Sequence, residues 1–258
     1  MVQKNREEAA AWIEDEIQRW MKEYCTERSL TYVWRRPVVR FGDAQSPLFE
    51  QLAKIVIQGH HTPKEYLPEA SVVISYFLPF IAEIGEGNVE GELASRQWAD
   101  AYNVTNTMAG QLNDHLVRWL QKQGYQAAVP TDTGMISDDV LYSRWSQKHV
   151  GYICGQGTFG VNNMLISDKG CVGRYFSIVA DLPVEAHSPV TEERCLYRRS
   201  GRCLLCVKRC VGDALKLQRQ EIQFDRVNCL AQCRVNTPIV GAGVCGKCVV
   251  GLPCSYKE

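Results

Sequence analysis

Apolar residues recur at helical spacing in two long segments of the chain. The first runs from Ile13 to Tyr24, where apolar side chains are interspersed with Glu, Lys and Arg, and it predicts an amphipathic helix over residues 5–27. The second runs from Trp98 to Trp119 and predicts a long helix that is closed by Gly124. The apolar faces of both helices are expected to contribute to a packed core.

A nearly continuous apolar run from Ser71 to Pro79 is rich in β-branched residues. Such a run is typical of a strand that is buried on both faces, which predicts a central position in a sheet. The other predicted elements are strands at 38–41, 125–129, 164–167 and 171–181 and helices at 47–58 and 138–148. Because Asp-Lys-Gly separates the last two strands, they are expected to flank a turn. The alternation of strands and helices predicts an α/β or α+β fold.

Residues 1–188 are predicted to form the α/β core domain and residues 189–258 a second, smaller domain, with a linker at Pro183 to Pro189. The 29 Lys and Arg residues balance the 29 Asp and Glu residues, so no net charge favours nucleic acid or an anionic membrane. No apolar signal segment opens the chain, and its longest apolar stretch is shorter than the roughly 20 residues of a membrane span. We therefore expect a cytoplasmic protein with neither a membrane nor a nucleic-acid partner.

Nine of the twelve cysteines lie between Cys195 and Cys254. In a reducing compartment thiols stay reduced and are free to bind metal. The sequence Cys203-Leu-Leu-Cys206-Val-Lys-Arg-Cys210 has the spacing of the second half of the bacterial ferredoxin motif, whose last cysteine ligates the other of two clusters. A second closely spaced pair, Cys245-Gly-Lys-Cys248, follows downstream. This spacing predicts two 4Fe-4S clusters.

Each iron of a 4Fe-4S cluster takes one thiolate, so two clusters use eight of these nine cysteines. One cluster is assigned to Cys195, Cys203, Cys206 and Cys254, and the other to Cys210, Cys229, Cys245 and Cys248. Cys233 is then left over, and whether Cys195 or Cys233 completes the ligand set stays open. The alternative is a structural zinc ion on Cys203, Cys206, Cys245 and Cys248, which would leave three further cysteines without a role.

The segment Gly155-Gln-Gly157-Thr-Phe-Gly160 matches the glycine pattern of dinucleotide-binding folds. That pattern must follow a strand and open a helix, whereas here a predicted helix precedes it and a strand-like sequence follows. Nicotinamide binding is therefore not expected. Two interpretations stay open, namely a loop whose backbone approaches a ligand closely and a purely structural turn.

The glycine segment, the strand sequence from Arg174 to Asp181 and the cysteine groups occur in an order that resembles the epoxyqueuosine reductase family. The resemblance extends from about Ser71 to Cys254 and is greatest to short members with two 4Fe-4S clusters. It implies a nitroreductase-like core that binds cobalamin and a ferredoxin-like module that delivers electrons; flavin would be a less favoured occupant of such a core. The residues that the resemblance places at the cofactor are Gly155, Gly157, Thr158, Phe159, Gly160, Asn162 and Asn163.

The family also carries an acid just before the helix that leads into the glycine loop. By offset the matching residue is Asp138, next to Asp139, and the resemblance implies that Asp138 donates a proton; its other interpretation is a helix N-cap. Asp132 lies in a similar Asp-Thr-Gly context but needs an insertion to match. The family's Asp-Tyr-His sequence is replaced here by Asn, Val and Thr at 103–105, which argues against a tRNA substrate.

Two functions are consistent with these features. In the first, two clusters pass electrons to a bound corrinoid, which reduces an unidentified substrate. In the second, the chain is a non-catalytic electron-transfer module that serves a partner corrinoid protein. In both, a ferredoxin or flavodoxin is the expected electron donor.

Overall fold

The computed structural model describes residues 5–219 and 221–257. In chain order its helices are α1 (Arg6–Glu27), α2 (Pro47–Ile55), α3 (Pro63–Tyr66), α4 (Ala82–Glu86), α5 (Arg96–Lys122), α6 (Gln147–Ile153), α7 (Leu196–Ser200), α8 (Leu205–Lys208) and α9 (Arg226–Val240). The strands are β1 (Val38–Asp43), β2 (Val72–Pro79), β3 (Ala127–Ala128), β4 (Gly157–Phe159), β5 (Leu165–Ser167), β6 (Gly173–Ala180), β7 (Leu215–Gln218) and β8 (Glu221–Phe224). The mixed α/β class predicted from the sequence is confirmed.

A four-stranded antiparallel sheet in the order β1-β2-β6-β3 lies at the centre of the fold. All eight residues of β2 are buried, which confirms its predicted central position. Alternate residues of a strand face opposite sides of the sheet. Ile74 and Tyr76 pack with α1 and α5 in the main core, whereas Val73 packs with α2 and α6 on the other side. Because helices cover both faces, β2 needs no polar alternation.

The two long predicted helices are confirmed, and each begins at a capping side chain. At α1, the Asn5 side chain accepts a hydrogen bond from the Glu8 amide at 2.9 Å, and the Glu8 carboxylate accepts one from the Asn5 amide. At α5, the Ser95 hydroxyl accepts a hydrogen bond from the Trp98 amide. None of the helices in residues 5–219 and 221–257 has the length and apolar character needed to cross a membrane.

The predicted helix at 138–148 is wrong, since α6 begins only at Gln147. Trp145 explains the difference, because its side chain is fully buried and its Nε1 donates a hydrogen bond to Ser177 on β6 at 2.9 Å. Its backbone amide also donates to the carbonyl oxygen of Asp132. These long-range contacts hold the segment in a non-helical form and override its local pattern.

The two strands predicted around the Asp-Lys-Gly turn are both present, but they do not form a hairpin. β5 pairs with β4, and β6 pairs with β2 and β3, so the two strands belong to different sheets. A bridge from Ser167 to Gly170 closes the turn that follows β5. β2 pairs with β6 over eight residues, whereas β5 has only three residues, so the pairing within the central sheet is the longer one.

The cysteine-rich end of the chain packs against the core rather than standing apart from it. Val240, Val244 and Val249 belong to the same hydrophobic cluster as the central sheet. The sequence analysis did not predict the β7–β8 hairpin or α9. The division at residue 188 stays a prediction, and residues 1–4, 220 and 258 of the two predicted domains lie outside the described residues.

Candidate functional site

Four cysteines from two separate parts of the chain line one small cavity. They are Cys195, Cys203, Cys206 and Cys254. Cys195 is the N-cap of α7, and Cys206 lies on α8. Cys254 lies in the irregular segment that follows α9, and its carbonyl oxygen accepts a hydrogen bond from the Cys171 amide at 3.0 Å. The cavity thus gathers the four residues that the sequence assigns to one cluster.

A second cavity of about 280 Å³ contains the other assigned cysteines. Its cysteine lining consists of Cys171, Cys210, Cys229, Cys233, Cys245 and Cys248. Cys229 and Cys233 are four residues apart on α9, so both side chains lie on the same face of the helix. Cys233, which has no place in the ligand assignment, therefore lies among the assigned ligands of the second cluster. Cys171 also lines this cavity, which the cysteine spacing did not indicate.

Buried polar contacts fix the backbone around the pair Cys245 and Cys248. The Asn88 side chain donates a hydrogen bond to the carbonyl oxygen of Cys245 at 2.9 Å, and the Asn162 side chain donates to that of Cys248 at 2.7 Å. Between them, the buried Lys247 ammonium donates to two further backbone carbonyls. The backbone of the pair is consequently tied to the core by hydrogen bonds.

Burial and hydrogen bonds between neighbouring thiols shift the pKa values of these cysteines in opposite directions. Burial raises the pKa of Cys206 to about 12, and it also raises the pKa of Cys248. On α9, a hydrogen bond from the Cys233 thiol lowers the pKa of Cys229 to about 7. Because a metal binds the thiolate form, loading such a site releases protons.

The zinc alternative requires the Cys203–Cys206 pair to lie beside the Cys245–Cys248 pair. The structure instead places the two pairs in different cavities. Across residues 5–219 and 221–257, no three His, Cys, Asp or Glu side chains converge closely enough to hold a single ion. A cubane cluster makes a different demand, since each of its irons takes one thiolate and the four thiols surround the cluster.

A larger cavity of about 580 Å³ lies over β6, between α5, the segment after β3 and the start of α6. A smaller cavity of about 160 Å³ adjoins it, and both are lined by Thr133, Ser143, Ser146 and Lys148. We call these two connected cavities the cleft. Its combined size falls in the range of pockets that hold small-molecule ligands.

The cleft and the second cysteine cavity share a wall. Met164, Gly173 and Arg174 line both the 280 Å³ cavity and the 580 Å³ cavity. The two cysteine cavities are in turn joined by a hydrophobic cluster that contains Cys206 and Cys248. The three spaces therefore form a series that runs from the first cysteine group through the second to the cleft.

The glycine loop does not lie as one piece against the cleft. Phe159 and Asn163 line its smaller cavity, whereas Gly160 and Asn162 line the first cysteine cavity. As expected for a segment that is not a dinucleotide fingerprint, α6 precedes the loop, β4 lies within it and β5 follows, so no helix begins at the glycines.

Thr158, another member of the glycine loop, fixes the segment that carries Cys195. The Thr158 hydroxyl donates a hydrogen bond to Glu193 at 3.0 Å and accepts one from the Arg194 amide at 2.9 Å. The Glu193 carboxylate also accepts a hydrogen bond from the Cys195 amide. At Gly155, which has a φ of +77°, a Cβ would lie 2.6 Å from the carbonyl oxygen of Ser188. These contacts favour a structural role for this half of the loop.

Replacing Gly157 by alanine tests that structural role. A Cβ at this position would overlap the carbonyl oxygen of Ile166 on the paired strand β5, so we expect Gly157→Ala to destabilise the protein by about 1–3 kcal/mol. Urea unfolding of the protein without added cofactors measures the change. Gly110→Ala on α5 is the matched control, because its Cβ meets open space, and it should be neutral or stabilising. Equal unfolding midpoints for Gly157→Ala and the wild type would contradict the structural role.

The structure places Asp138 on the surface. Its carboxylate is 77% exposed, forms an ion pair with Arg234 at 2.5 Å and caps no helix, since Ser146 is the N-cap of α6. Asp132 precedes Thr133, which lines both parts of the cleft, and its backbone has a φ of +56°. Of the two acids, Asp132 is the one next to the cleft.

Solved structures of two enzyme classes share this fold. An epoxyqueuosine reductase from Bacillus subtilis, described with its catalytic loop swung out of the active site, gives a TM-score of 0.54 at 14% identity, over 95% of this chain and 66% of its own. A catabolic reductive dehalogenase gives 0.56 at 17% identity, over 85% of this chain and 30% of its own. A reductive dehalogenase structure that is described as suggesting a mechanism for B12-dependent dehalogenation gives 0.51 at 16%, over 81% and 28%.

These matches confirm, at the level of the fold, the resemblance that the sequence predicts. The chain spans just under two thirds of the length of the epoxyqueuosine reductase. No protein-family model matches the chain, and no curated protein matches it by sequence.

Proposed function

We propose that the chain is an iron-sulfur oxidoreductase in which two 4Fe-4S clusters pass electrons to a corrinoid in the cleft, which reduces a substrate there. In this proposal residues 1–188 form a nitroreductase-like core and residues 189–258 a ferredoxin-like module. The observation that carries it is the series of three neighbouring spaces, in which two groups of cysteines lead to a cleft of ligand size.

The thiols of the two cysteine cavities fit iron-sulfur clusters in number and in chemistry. Cys195, Cys203, Cys206 and Cys254 would hold one cluster, and Cys210, Cys229, Cys245 and Cys248 the other. Such clusters carry single electrons, and hydrogen bonds to their sulfur ligands tune the potential. The Ala214 amide, which donates to the Cys210 sulfur at 3.2 Å, is one such hydrogen bond supplied by the chain.

The cleft fits a corrinoid only in part. Its volume suits a ligand of drug-like size, so a macrocycle would extend through the mouth rather than be enclosed. When bound, a corrinoid supplies a reducible cobalt centre. Tyr175 and Phe176 on β6 and Asn106 on α5 would contact it, and Phe159 and Asn163 are the members of the glycine loop placed to do so. Flavin stays the less favoured occupant.

A proton for the reduced substrate would come from the segment between β3 and α6. Asp138 is the donor that the sequence predicts, and Asp132 is the acid whose neighbour Thr133 lines the cleft. The segment occupies the position before the glycine loop, and a fold relative is described with a catalytic loop that swings out of its active site. A movement of this kind would bring Asp138 from the surface toward the cleft. Asp132 is the alternative donor, because it adjoins the lining residue Thr133, and its carboxylate would first have to leave His61, whose Nε2 lies 3.5 Å away.

The cleft favours a reductase over the non-catalytic module. A protein that only relays electrons to a partner needs no ligand-sized space beside its second cluster, whereas a reductase needs one for its cofactor and substrate. A ferredoxin or flavodoxin stays the proposed electron donor in either case. The balanced charge of the chain supports a substrate other than nucleic acid.

The proposal predicts a definite set of spectra. Anaerobically reconstituted protein should contain about eight iron and eight sulfide ions per chain. Its visible absorbance should bleach on reduction. Added cobalamin should produce a saturable change in the absorbance of the corrinoid, and the cobalt centre should then be reduced through the clusters. If the clusters form but cobalamin causes no absorbance change, the reductase is contradicted and the non-catalytic electron-transfer module is supported. Stoichiometric zinc without sulfide would contradict both functions.

A further inference from the structure

Three cationic side chains surround the cleft, and none of them pairs with a carboxylate of the described residues. Lys148 lines both of its cavities, Arg174 lines the larger and Arg226 the smaller. Among residues 5–219 and 221–257, no Asp or Glu belongs to the lining of either cavity. Within the described part of the chain, none of the three cations forms an ion pair with a carboxylate. The described lining of the cleft therefore carries three basic side chains and no acidic one, inside a protein that has no net charge.

Lys148 is held near the middle of the cleft by neutral groups. Its Nζ donates a hydrogen bond to the carbonyl oxygen of Asn163 at 2.8 Å and contacts the sulfur of Met164 at 3.8 Å. An ammonium has three donors, so part of its hydrogen-bonding capacity stays open toward the cavity. Burial, with added repulsion from Arg226 and Arg174, lowers the pKa of Lys148 to about 8. A bound anion would relieve that cost.

The two guanidinium groups are positioned by aromatic rings instead of by acids. Arg174 lies over the ring of Tyr102 at 4.6 Å, and its buried Nε has no hydrogen-bond partner among the described residues. Arg226 lies over the ring of Tyr142 at 4.5 Å, with the Phe224 ring 5.5 Å away. Stacking on a ring face leaves the N–H edges of the Arg226 guanidinium available for a carboxylate or phosphate. Arg174 also forms a side-chain hydrogen bond with Tyr102, so its unpartnered Nε is the donor that stays available there.

We propose that the cleft binds an anionic group, a phosphate or a carboxylate, through Lys148, Arg174 and Arg226, and that this group belongs to the substrate. Unpaired charges in a partly buried site are costly, and an anion with several oxygens can accept hydrogen bonds from all three cations. The substrate is then a small anionic molecule whose charged end is bound here, beside the wall shared with the second cysteine cavity. Only the assignment of the anion to a substrate rests on the proposed function.

Titration calorimetry with inorganic pyrophosphate, and in parallel with citrate, tests the site on reconstituted protein. We expect saturable binding of at least one of the two anions. Lys148→Gln and Arg226→Gln should each weaken it by about tenfold or more. Lys54→Gln, which removes the same charge from an exposed position on α2, should leave it unchanged, and Lys148→Arg should restore most of it. Iron and sulfide content measured on every variant shows that the protein is intact.

Two results would overturn the site. One is the absence of binding of either anion to the wild-type protein, and the other is an equal loss of affinity in Lys54→Gln and Lys148→Gln. Arg226→Gln keeps the test decisive if Lys148→Gln does not fold.

The source of the anion is tested by repeating the titration after loading with cobalamin or with cobinamide, which lacks the nucleotide phosphate. Binding that persists in the cobalamin-loaded protein supports a substrate anion. Binding that cobalamin abolishes and cobinamide does not would assign the site to the phosphate of the cofactor and overturn the substrate assignment. Because pyrophosphate binding is measured without a corrinoid, failure of the proposed function and failure of the anion site give different results.

Discussion

Replacing Cys248 by alanine is expected to remove one of the two clusters. Iron and sulfide in the anaerobically reconstituted protein should fall from about eight of each per chain to about four. Cys248 lines the second cavity, and its backbone is fixed by Asn162, so the loss of the thiol leaves a cluster site with three of its four assigned ligands. Cys203→Ala should remove the other cluster in the same way. Iron and sulfide assays, with the absorbance that bleaches on reduction, measure both variants.

Two control variants sharpen this prediction. Cys25→Ala changes a buried cysteine of α1 that packs in the core, so the protein should retain about eight irons. Cys233→Ala tests the residue that the structure brings into the second cavity without an assigned role. We expect it to retain both clusters, whereas Cys229→Ala should lose one. The reverse outcome for these two variants would make Cys233 the ligand in place of Cys229, and a full complement of iron in Cys248→Ala would contradict the ligand assignment.

The grouping of the cysteines could be predicted because it depends on short sequence spacings. Cysteines separated by two residues, such as Cys203 and Cys206 or Cys245 and Cys248, stay close together in any fold that the chain adopts. The spacing of the ferredoxin motif then assigns each such pair to one of two clusters. In the structure the first assigned group lines one cavity, and the second assigned group lines the other together with Cys171 and Cys233. The ligand sets themselves stay a prediction. Spacing alone could not show that Cys171, from the core, also lines the second cavity.

The cleft could not be predicted in this way, because residues from distant segments form it. Lys148, Arg174 and Arg226 lie on α6, β6 and α9, and nothing in their local sequence distinguishes them from surface cations. The segment before α6 is held by long-range contacts of Trp145, which local periodicity does not record. The long helices and β2 are the opposite case, since a strong pattern over many residues decides them.

Filling the cleft from α5 should block corrinoid binding without disturbing the clusters. Gly110 lines the larger cavity, and a Cβ at this position has no neighbouring atom within 4 Å, so we expect Gly110→Phe to add an aromatic ring on the cleft side of α5. Helix propensity also favours the change, because glycine is among the poorest residues in a helix interior. A ligand forced against this ring should bind about ten- to hundredfold more weakly. The cobalamin titration followed by absorbance measures the shift, and the iron and sulfide content should stay the same.

Gln111→Phe supplies the matched control, because it adds the same ring one residue along α5 at an exposed position outside the cleft lining. Its cobalamin titration should match that of the wild type. Unchanged cobalamin affinity in Gly110→Phe would mean that the corrinoid binds elsewhere, and the cleft would then be a substrate site alone. A parallel loss in Gln111→Phe would attribute the effect to helix α5 as a whole. Weaker binding confined to Gly110→Phe is the result that places the cofactor over β6, next to the wall that the cleft shares with the second group of cysteines.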